Sequence, residues 1–297
     1  MSSRLLAGCY TALVTPFDAD GALDAAALAA LVEWQVAEGV AGLVPVGSTG
    51  EAATMSLEER LSVVRITVER VAGRVPVIAG AGGNDTRVAI VTSKEMARAG
   101  ATHLLHVSPM YNKPPQRGIL AHVRAIADAS PLPIIVYNVP GRTASNIEAE
   151  TTLAMAEHPN IVAVKEASGN LAQISQIIRN APDGFRVLSG DDSLTLAVLA
   201  MGGHGVVSVI SNVAPAKMDW LCTSVFDQQM AEAQSLHRLL DPLMHAAFCE
   251  SNPIPIKAAL AMMGRITNTL RLPLVPLDPK YEALLRASLV QAGALAP

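Results

Sequence analysis

The sequence predicts an α/β fold, a (β/α)8 TIM barrel with a C-terminal helical extension. Three observations carry this. Short apolar runs, mostly β-branched or Leu, recur as far as Ile210. They are continuous rather than alternating, which suits parallel strands covered on both faces. Helical patterns fill the intervals, and eight strands in strict alternation with helices close naturally into a barrel.

The runs are YTALVTP (10–16), AGLVPVG (41–47), VPVIAG (75–80), THLLHVSP (102–109), PIIVYN (133–138), NIVAVK (160–165), FRVLSG (185–190) and HGVVSVI (204–210). Between them, 24–38 reads as a helix with Asp24 as its N-cap, and Ser56 caps a second, with Glu59 at the capping-box position. Further helices are expected over 85–99, 118–129, 148–156, 171–178 and 192–201. Each β-plus-α unit has the length a βαβ repeat needs. A doubly wound sheet is the rival, but GSTGE (47–51) and GAGGN (80–84) are not dinucleotide fingerprints. After Ile210 the alternation stops. The expected organisation is a catalytic barrel over 1–213 and a helical region over 214–297, which covers barrel helices or builds an interface.

Composition narrows the function classes. Hydrophobic residues make up 51% of the 297 and charged residues 16%, which fits doubly covered strands or a sizeable oligomer interface. A net charge of −4 without a basic block argues against nucleic acid as a partner. Cys9, Cys222 and Cys249 lack paired spacing, so neither a disulfide scaffold nor a sulfur-ligated metal is expected. The first 21 residues carry one Arg and a short apolar run that breaks at Pro16, unlike a signal peptide. No apolar stretch has membrane length. A cytoplasmic protein without a membrane partner is expected.

In a barrel, chemistry concentrates where strands end and βα loops begin. That rule selects Ser48, Thr49 and Glu51 after the second run, and Met110, Tyr111 and Lys113 after the fourth. It selects Tyr137 and Arg142 at and beyond the fifth, Lys165 and Glu166 at the sixth, Gly190, Asp191 and Asp192 at the seventh, and Ser208 at the eighth. Lys165 stands out, one of six lysines and placed at the tip of an apolar strand. Burial favours the neutral amine of a lysine, and a neutral amine can attack a carbonyl to form a Schiff base. A structural role, with Lys165 paired to Glu166 or Asp191, stays open at this point. Tyr137 ends the preceding strand and should neighbour Lys165, where a phenol can pass protons beside an imine. Ser48 and Thr49 can bind a carboxylate through hydroxyls and N–H groups if GSTGE turns from strand into helix. Arg142 is a candidate carboxylate clamp. Asp191 and Asp192 read as loop anchors. The histidines show no metal spacing, and His103 and His106, three apart on one strand, face opposite ways.

With these residues assembled, the chain resembles the dihydrodipicolinate synthase / N-acetylneuraminate lyase family of Schiff-base barrels. The likeness runs from TALVTPF (11–17) to LRLPLVP (270–276). It includes SPMYNKP (108–114), YNVPGRT (137–143), VAVKEASGN (162–170), LSGDD (188–192), GGHGVVSV (202–209) and NPIPIK (252–257). It is strongest toward the synthase branch. The resemblance implies that Lys165 forms a Schiff base with pyruvate, whose enamine attacks L-aspartate 4-semialdehyde to give 4-hydroxy-tetrahydrodipicolinate, a step of lysine and diaminopimelate biosynthesis. It implies proton transfer by Tyr137, Ser48 and Tyr111, with Ser48 standing where a threonine is usual. It places the pyruvate carboxylate on Thr49 and the aldehyde's carboxylate on Arg142. Val207 (through its backbone carbonyl) and Gly190 are the further substrate-binding positions.

No cofactor or metal is expected, since the iminium is itself the electron sink. A homotetramer of two tight dimers is implied, with Tyr111 acting across the dimer interface. Relatives that bind lysine as an effector carry polar partners where this chain has Leu57, Arg60 and Val88, so feedback by lysine is not expected. Met110 stands where a second tyrosine is common. A sugar-acid aldolase or lyase of the same family would share Lys165 and Tyr137; Arg142 and Tyr111 favour a small acidic aldehyde. A non-catalytic small-acid-binding barrel would have no need of the whole relay.

Overall fold

A computed structural model describes residues 6–296. Eight parallel strands form the barrel: β1 (Gly8–Ala12), β2 (Gly42–Val44), β3 (Ile78–Gly80), β4 (His103–Val107), β5 (Ile134–Asn138), β6 (Ile161–Glu166), β7 (Arg186–Ser189) and β8 (Gly205–Ser208). Seven of the neighbouring pairs are hydrogen-bonded ladders, in the order β2-β1-β8-β7-β6-β5-β4-β3, and β5–β6 shifts register once, between Ile134 and Ile135. The ring closes between β2 and the segment entering β3, through a Leu43–Val77 bridge and the bond from Leu43 N–H to the Pro76 carbonyl. The expected barrel is therefore present.

The helices that follow the strands are α1 (Ala25–Ala37), α2 (Leu57–Val71), α3 (Thr86–Arg98), α4 (Gln116–Ala129), the short α5 (Pro140–Thr143), α6 (Ala149–Ala156), α7 (Leu171–Asn180) and α8 (Thr195–Ala200). Four more complete the chain: α9 (Pro215–Phe226), α10 (Met230–Ala246), α11 (Ile254–Met262) and α12 (Glu282–Gln291). Asp24 caps α1, and the Ser56–Glu59 capping box at α2 is complete, with Glu59 accepting from Ser56 N–H and Ser56 Oγ from Glu59 N–H. Among the described residues, no helix is long and apolar enough to cross a membrane.

Two boundaries differ from the sequence expectation for identifiable reasons. The first strand leaves the ladder after Ala12, not at Pro16, because Asn212 Oδ1 takes the Val14 N–H. The helix expected from Asp192 starts at Thr195, because the Asp192 carboxylate accepts from the amides of Val209 and Ile210 instead of capping.

Strand side chains divide between two apolar layers. Inward residues such as Val44, Ile78, Leu105, Ile135, Ala163 and Leu188 fill the barrel. Outward ones such as Leu104, Val136, Val164 and Val187 pack on the helices. Both faces are dry, which is why the strands read as unbroken apolar runs.

The outer layer also holds polar groups, among them His106. It is buried beneath α3; its Nε2 lies 3.2 Å from Ser93 Oγ, and its Nδ1 has no partner among the described residues. Burial holds it neutral, its pKa pushed down to about 3, with nearby His122 acting in the same sense. His122 is also held low by burial; Asp85 opposes the shift, and its Nδ1 lies 2.9 Å from Thr86 Oγ1. Because the unfolded chain binds these protons near pH 6.5 and the folded one does not, stability is full above that pH and falls as pH drops toward 3. Each such group contributes a slope of at most about 1.4 kcal/mol per pH unit. Thermal unfolding of His106→Gln across this acid range should show a shallower loss of stability than wild type; parallel curves would contradict the assignment.

Candidate functional site

The strand C-termini surround a cavity of about 660 Å³. Register decides which side chains enter it. In the β5–β6 ladder Tyr137 pairs with Lys165, and in β6–β7 Lys165 pairs with Leu188, so all three point inward. The next residues, Asn138, Glu166 and Ser189, point outward.

Lys165 is 6% exposed, and its Nζ lies 4.0 Å from the centre of the Tyr137 ring. Among the described residues no carboxylate lies within ion-pair distance of it. The pairing with Glu166 or Asp191 that the sequence left open is thus not made. Glu166 faces the helix layer and accepts from Asn138 Nδ2 (3.0 Å), Ser168 N–H (2.7 Å) and Gln173 Nε2 (3.3 Å). Its carboxyl is raised by burial, which these bonds oppose. Asp191 is occupied by Ser193, accepting from its amide and hydroxyl. Gly190 shapes the lysine from the other side. A Cβ there would lie 2.6 Å from Ala167 Cβ and 3.1 Å from Lys165 Cε, so any larger residue would displace Ala167 and crowd the lysine stem.

The segment after β2 supplies Ser48, exposed at the mouth, and Thr49, which is buried. GSTGE does not open a helix directly. A short 3-10 turn (Ala52–Thr54) intervenes and α2 begins at Leu57. Val46 (φ 52°) and Glu51 (φ 53°) adopt left-handed backbone, a strained choice for non-glycine residues and above all for Val. The strain is held from behind. Glu51 turns into the core and receives Lys257 Nζ at 2.6 Å and Arg271 N–H at 3.1 Å. Lys257 is 0% exposed, also donates to the Thr15 carbonyl (3.0 Å), and lies 4.4 Å from the Phe17 ring. Burial pushes its pKa down, and Glu51 opposes that. Arg271 continues the network to Glu59, whose carboxyl it holds down at about 2.

Arg142, on α5, lines the cavity and donates through Nη2 to the Asn252 carbonyl at 3.0 Å. Asn252 Nδ2 donates to Thr49 Oγ1 at 2.8 Å. Lys165, Tyr137, Ser48, Thr49, Arg142 and Gly190 therefore share one cavity. Two further residues singled out by the sequence do not line it. Tyr111 is 91% exposed and lies outside the cavity wall, where Met110 stands instead, its backbone clamped by Asn84. Val207 is packed inside the barrel beneath the mouth; Val209, two residues on, forms the wall. Arg60 lines the cavity with its Nε unpartnered, while Val88 is exposed on α3. Among the described residues no three His, Cys, Asp or Glu side chains could jointly hold a metal ion.

Sequence reasoning missed the contribution of the C-terminal region. Phe248, Ser251, Asn252, Pro273 and Leu274 line the cavity, so this region builds the site as well as covering helices. The available signal was NPIPIK, a polar Asn and a Lys inside an otherwise apolar segment. Removing one partner of the Lys257–Glu51 pair strands a buried charge, so Lys257→Met should cost about 3–5 kcal/mol in denaturant unfolding. A loss below about 1 kcal/mol, the range of an exposed pair, would show that the network does not hold the loop.

The chain is similar to known proteins over nearly its whole length. The profile of the Dihydrodipicolinate synthetase family matches residues 5–292. The 4-hydroxy-tetrahydrodipicolinate synthase of Maridesulfovibrio salexigens is 50% identical over 287 residues, 96% of this chain and 98% of its own. That of Koribacter versatilis is 51% identical over 291 residues, 98% of this chain and 97% of its own. The crystal structure of dihydrodipicolinate synthase from Thermotoga maritima superposes with a TM-score of 0.96 at 44% identity, covering 98% of this chain and all of that one, 100%.

Proposed function

The chain belongs to the Dihydrodipicolinate synthetase family, and from that premise we propose that it condenses pyruvate with L-aspartate 4-semialdehyde to give 4-hydroxy-tetrahydrodipicolinate. The observation that carries the reading is Lys165: a buried amine with no carboxylate partner among the described residues, facing the same cavity as Tyr137 and Arg142.

The chemistry follows from that placement. The Lys165 amine adds to the pyruvate keto carbon, and loss of water leaves an imine. The imine draws electrons from the neighbouring methyl, which releases a proton and becomes an enamine carbon. That carbon bonds to the aldehyde carbon of the semialdehyde, whose oxygen takes a proton. The substrate's own amine then adds to the imine carbon, displaces Lys165 and closes the ring. Tyr137, across the ladder from Lys165, is positioned to hold and return the protons these steps move. Ser48, at the mouth, is the next hydroxyl of the proposed relay. The exposed ring of Tyr111 cannot serve its own cavity; in this reading Tyr111 of the partner subunit completes the relay in a dimer, and two dimers form the tetramer. Thr49 and Arg142 receive the two substrate carboxylates. Arg60 and Val88 present a cation and an apolar side chain where an effector lysine would need acceptors, so the reading includes no lysine feedback.

Turnover tests the substrate. Pyruvate with L-aspartate 4-semialdehyde should be consumed far faster than pyruvate with sugar aldehydes, and Lys165→Ala should lower kcat by at least about three orders of magnitude. Faster turnover of a sugar aldehyde, or an active Lys165→Ala, would overturn the proposal.

A further inference from the structure

Asn252 lies in the turn between α10 and α11, far in sequence from both strand ends it touches, and is 5% exposed. Its side chain and backbone make two separate contacts at the cavity. The side-chain Nδ2 donates to Thr49 Oγ1 at 2.8 Å, and the backbone carbonyl accepts from Arg142 Nη2 at 3.0 Å. Resting on the function proposed above, we infer that Asn252 is a positioning residue that orients the Thr49 hydroxyl as a donor to the keto-acid carboxylate.

A threonine hydroxyl has one proton and two lone pairs. The bond from Asn252 occupies a lone pair, and Thr49 Oγ1 makes no other side-chain bond among the described residues. Its proton is therefore uncommitted, and Thr49 lines the cavity. A carboxylate entering the cavity is acceptor-only, so it needs a hydroxyl presented proton-first. Had an acceptor stood at Asn252 Nδ2, the Thr49 proton would be consumed by it. Asn252 Oδ1 is buried without a partner among the described residues, so the bond to Thr49 is the one side-chain hydrogen bond the amide makes there. Since the contact with Arg142 is through the backbone, side-chain substitution separates the two functions.

Steady-state kinetics of wild type, Asn252→Ala, Asn252→Asp, Thr49→Val and the double variant Thr49→Val/Asn252→Ala test this, with thermal unfolding as the fold control. Asn252→Ala should raise the KM for pyruvate roughly tenfold, the scale of one oriented bond to a charged group. The KM for the semialdehyde should change little, because Arg142 keeps its carbonyl. In the Thr49→Val background the same substitution should add nothing to the pyruvate KM. Should the Ala variant unfold, the isosteric Asn252→Asp carries the test, since its carboxylate takes the threonine proton and should raise the pyruvate KM at least as far. An unchanged pyruvate KM in the folded variants would overturn the inference, as would an equal rise for both substrates or full additivity with Thr49→Val. A wild type that does not turn over the two substrates would instead overturn the function on which it rests.

Discussion

The structure depends on where two buried lysines find, or fail to find, a negative charge. Lys257 and Lys165 are both withdrawn from water. Lys257 meets Glu51 at 2.6 Å and a backbone carbonyl at 3.0 Å, and so completes a structural ion pair. Lys165 instead lies over the face of Tyr137, at 4.0 Å, with no carboxylate at ion-pair distance among the described residues. Burying a charge without a partner is costly, so a fold keeps such a group only where something repays the cost. The carboxylates near Lys165 are engaged elsewhere: Glu166 by Asn138, Ser168 and Gln173, and Asp191 by Ser193.

The paired lysine supports the unpaired one's surroundings. Glu51 sits at a left-handed position in the loop that carries Ser48 and Thr49, and the Lys257–Glu51–Arg271 network fixes that loop against the C-terminal region. Asn252 reaches from the same region to Thr49 and Arg142. Segments remote in sequence thus set the geometry of the cavity, while the β5–β6 register sets the lysine and the tyrosine.

Much of this was legible in the sequence. Unbroken apolar strands with helical intervals specify a barrel because both faces of each strand are dry, and a lysine at the tip of an apolar strand beside a strand-end tyrosine singled out Lys165 and Tyr137. The outward direction of Glu166 follows from the period of two. Thr49 and Arg142 were candidates by position and chemistry, and the family resemblance assigned each a carboxylate and added Val207 and Gly190. What local pattern could not show was partnership over long sequence separations. Nothing near Glu51 announces Lys257, and nothing near Thr49 announces Asn252. The early exit of β1 depends on Asn212, and the late start of α8 on amides beyond β8. Tyr111 reads as a site residue acting across a dimer interface, and its ring stands outside the cavity of its own chain.

In the proposed function burial alone does not make a lysine reactive; what distinguishes Lys165 from Lys257 is that it has no carboxylate partner among the described residues. Borohydride reduction in the presence of pyruvate, followed by peptide mapping, tests it within one molecule. The account predicts a single covalent adduct, on the peptide carrying Lys165, with the peptide carrying Lys257 unmodified. An adduct on Lys257, or a native protein that gains no mass at Lys165, would contradict it.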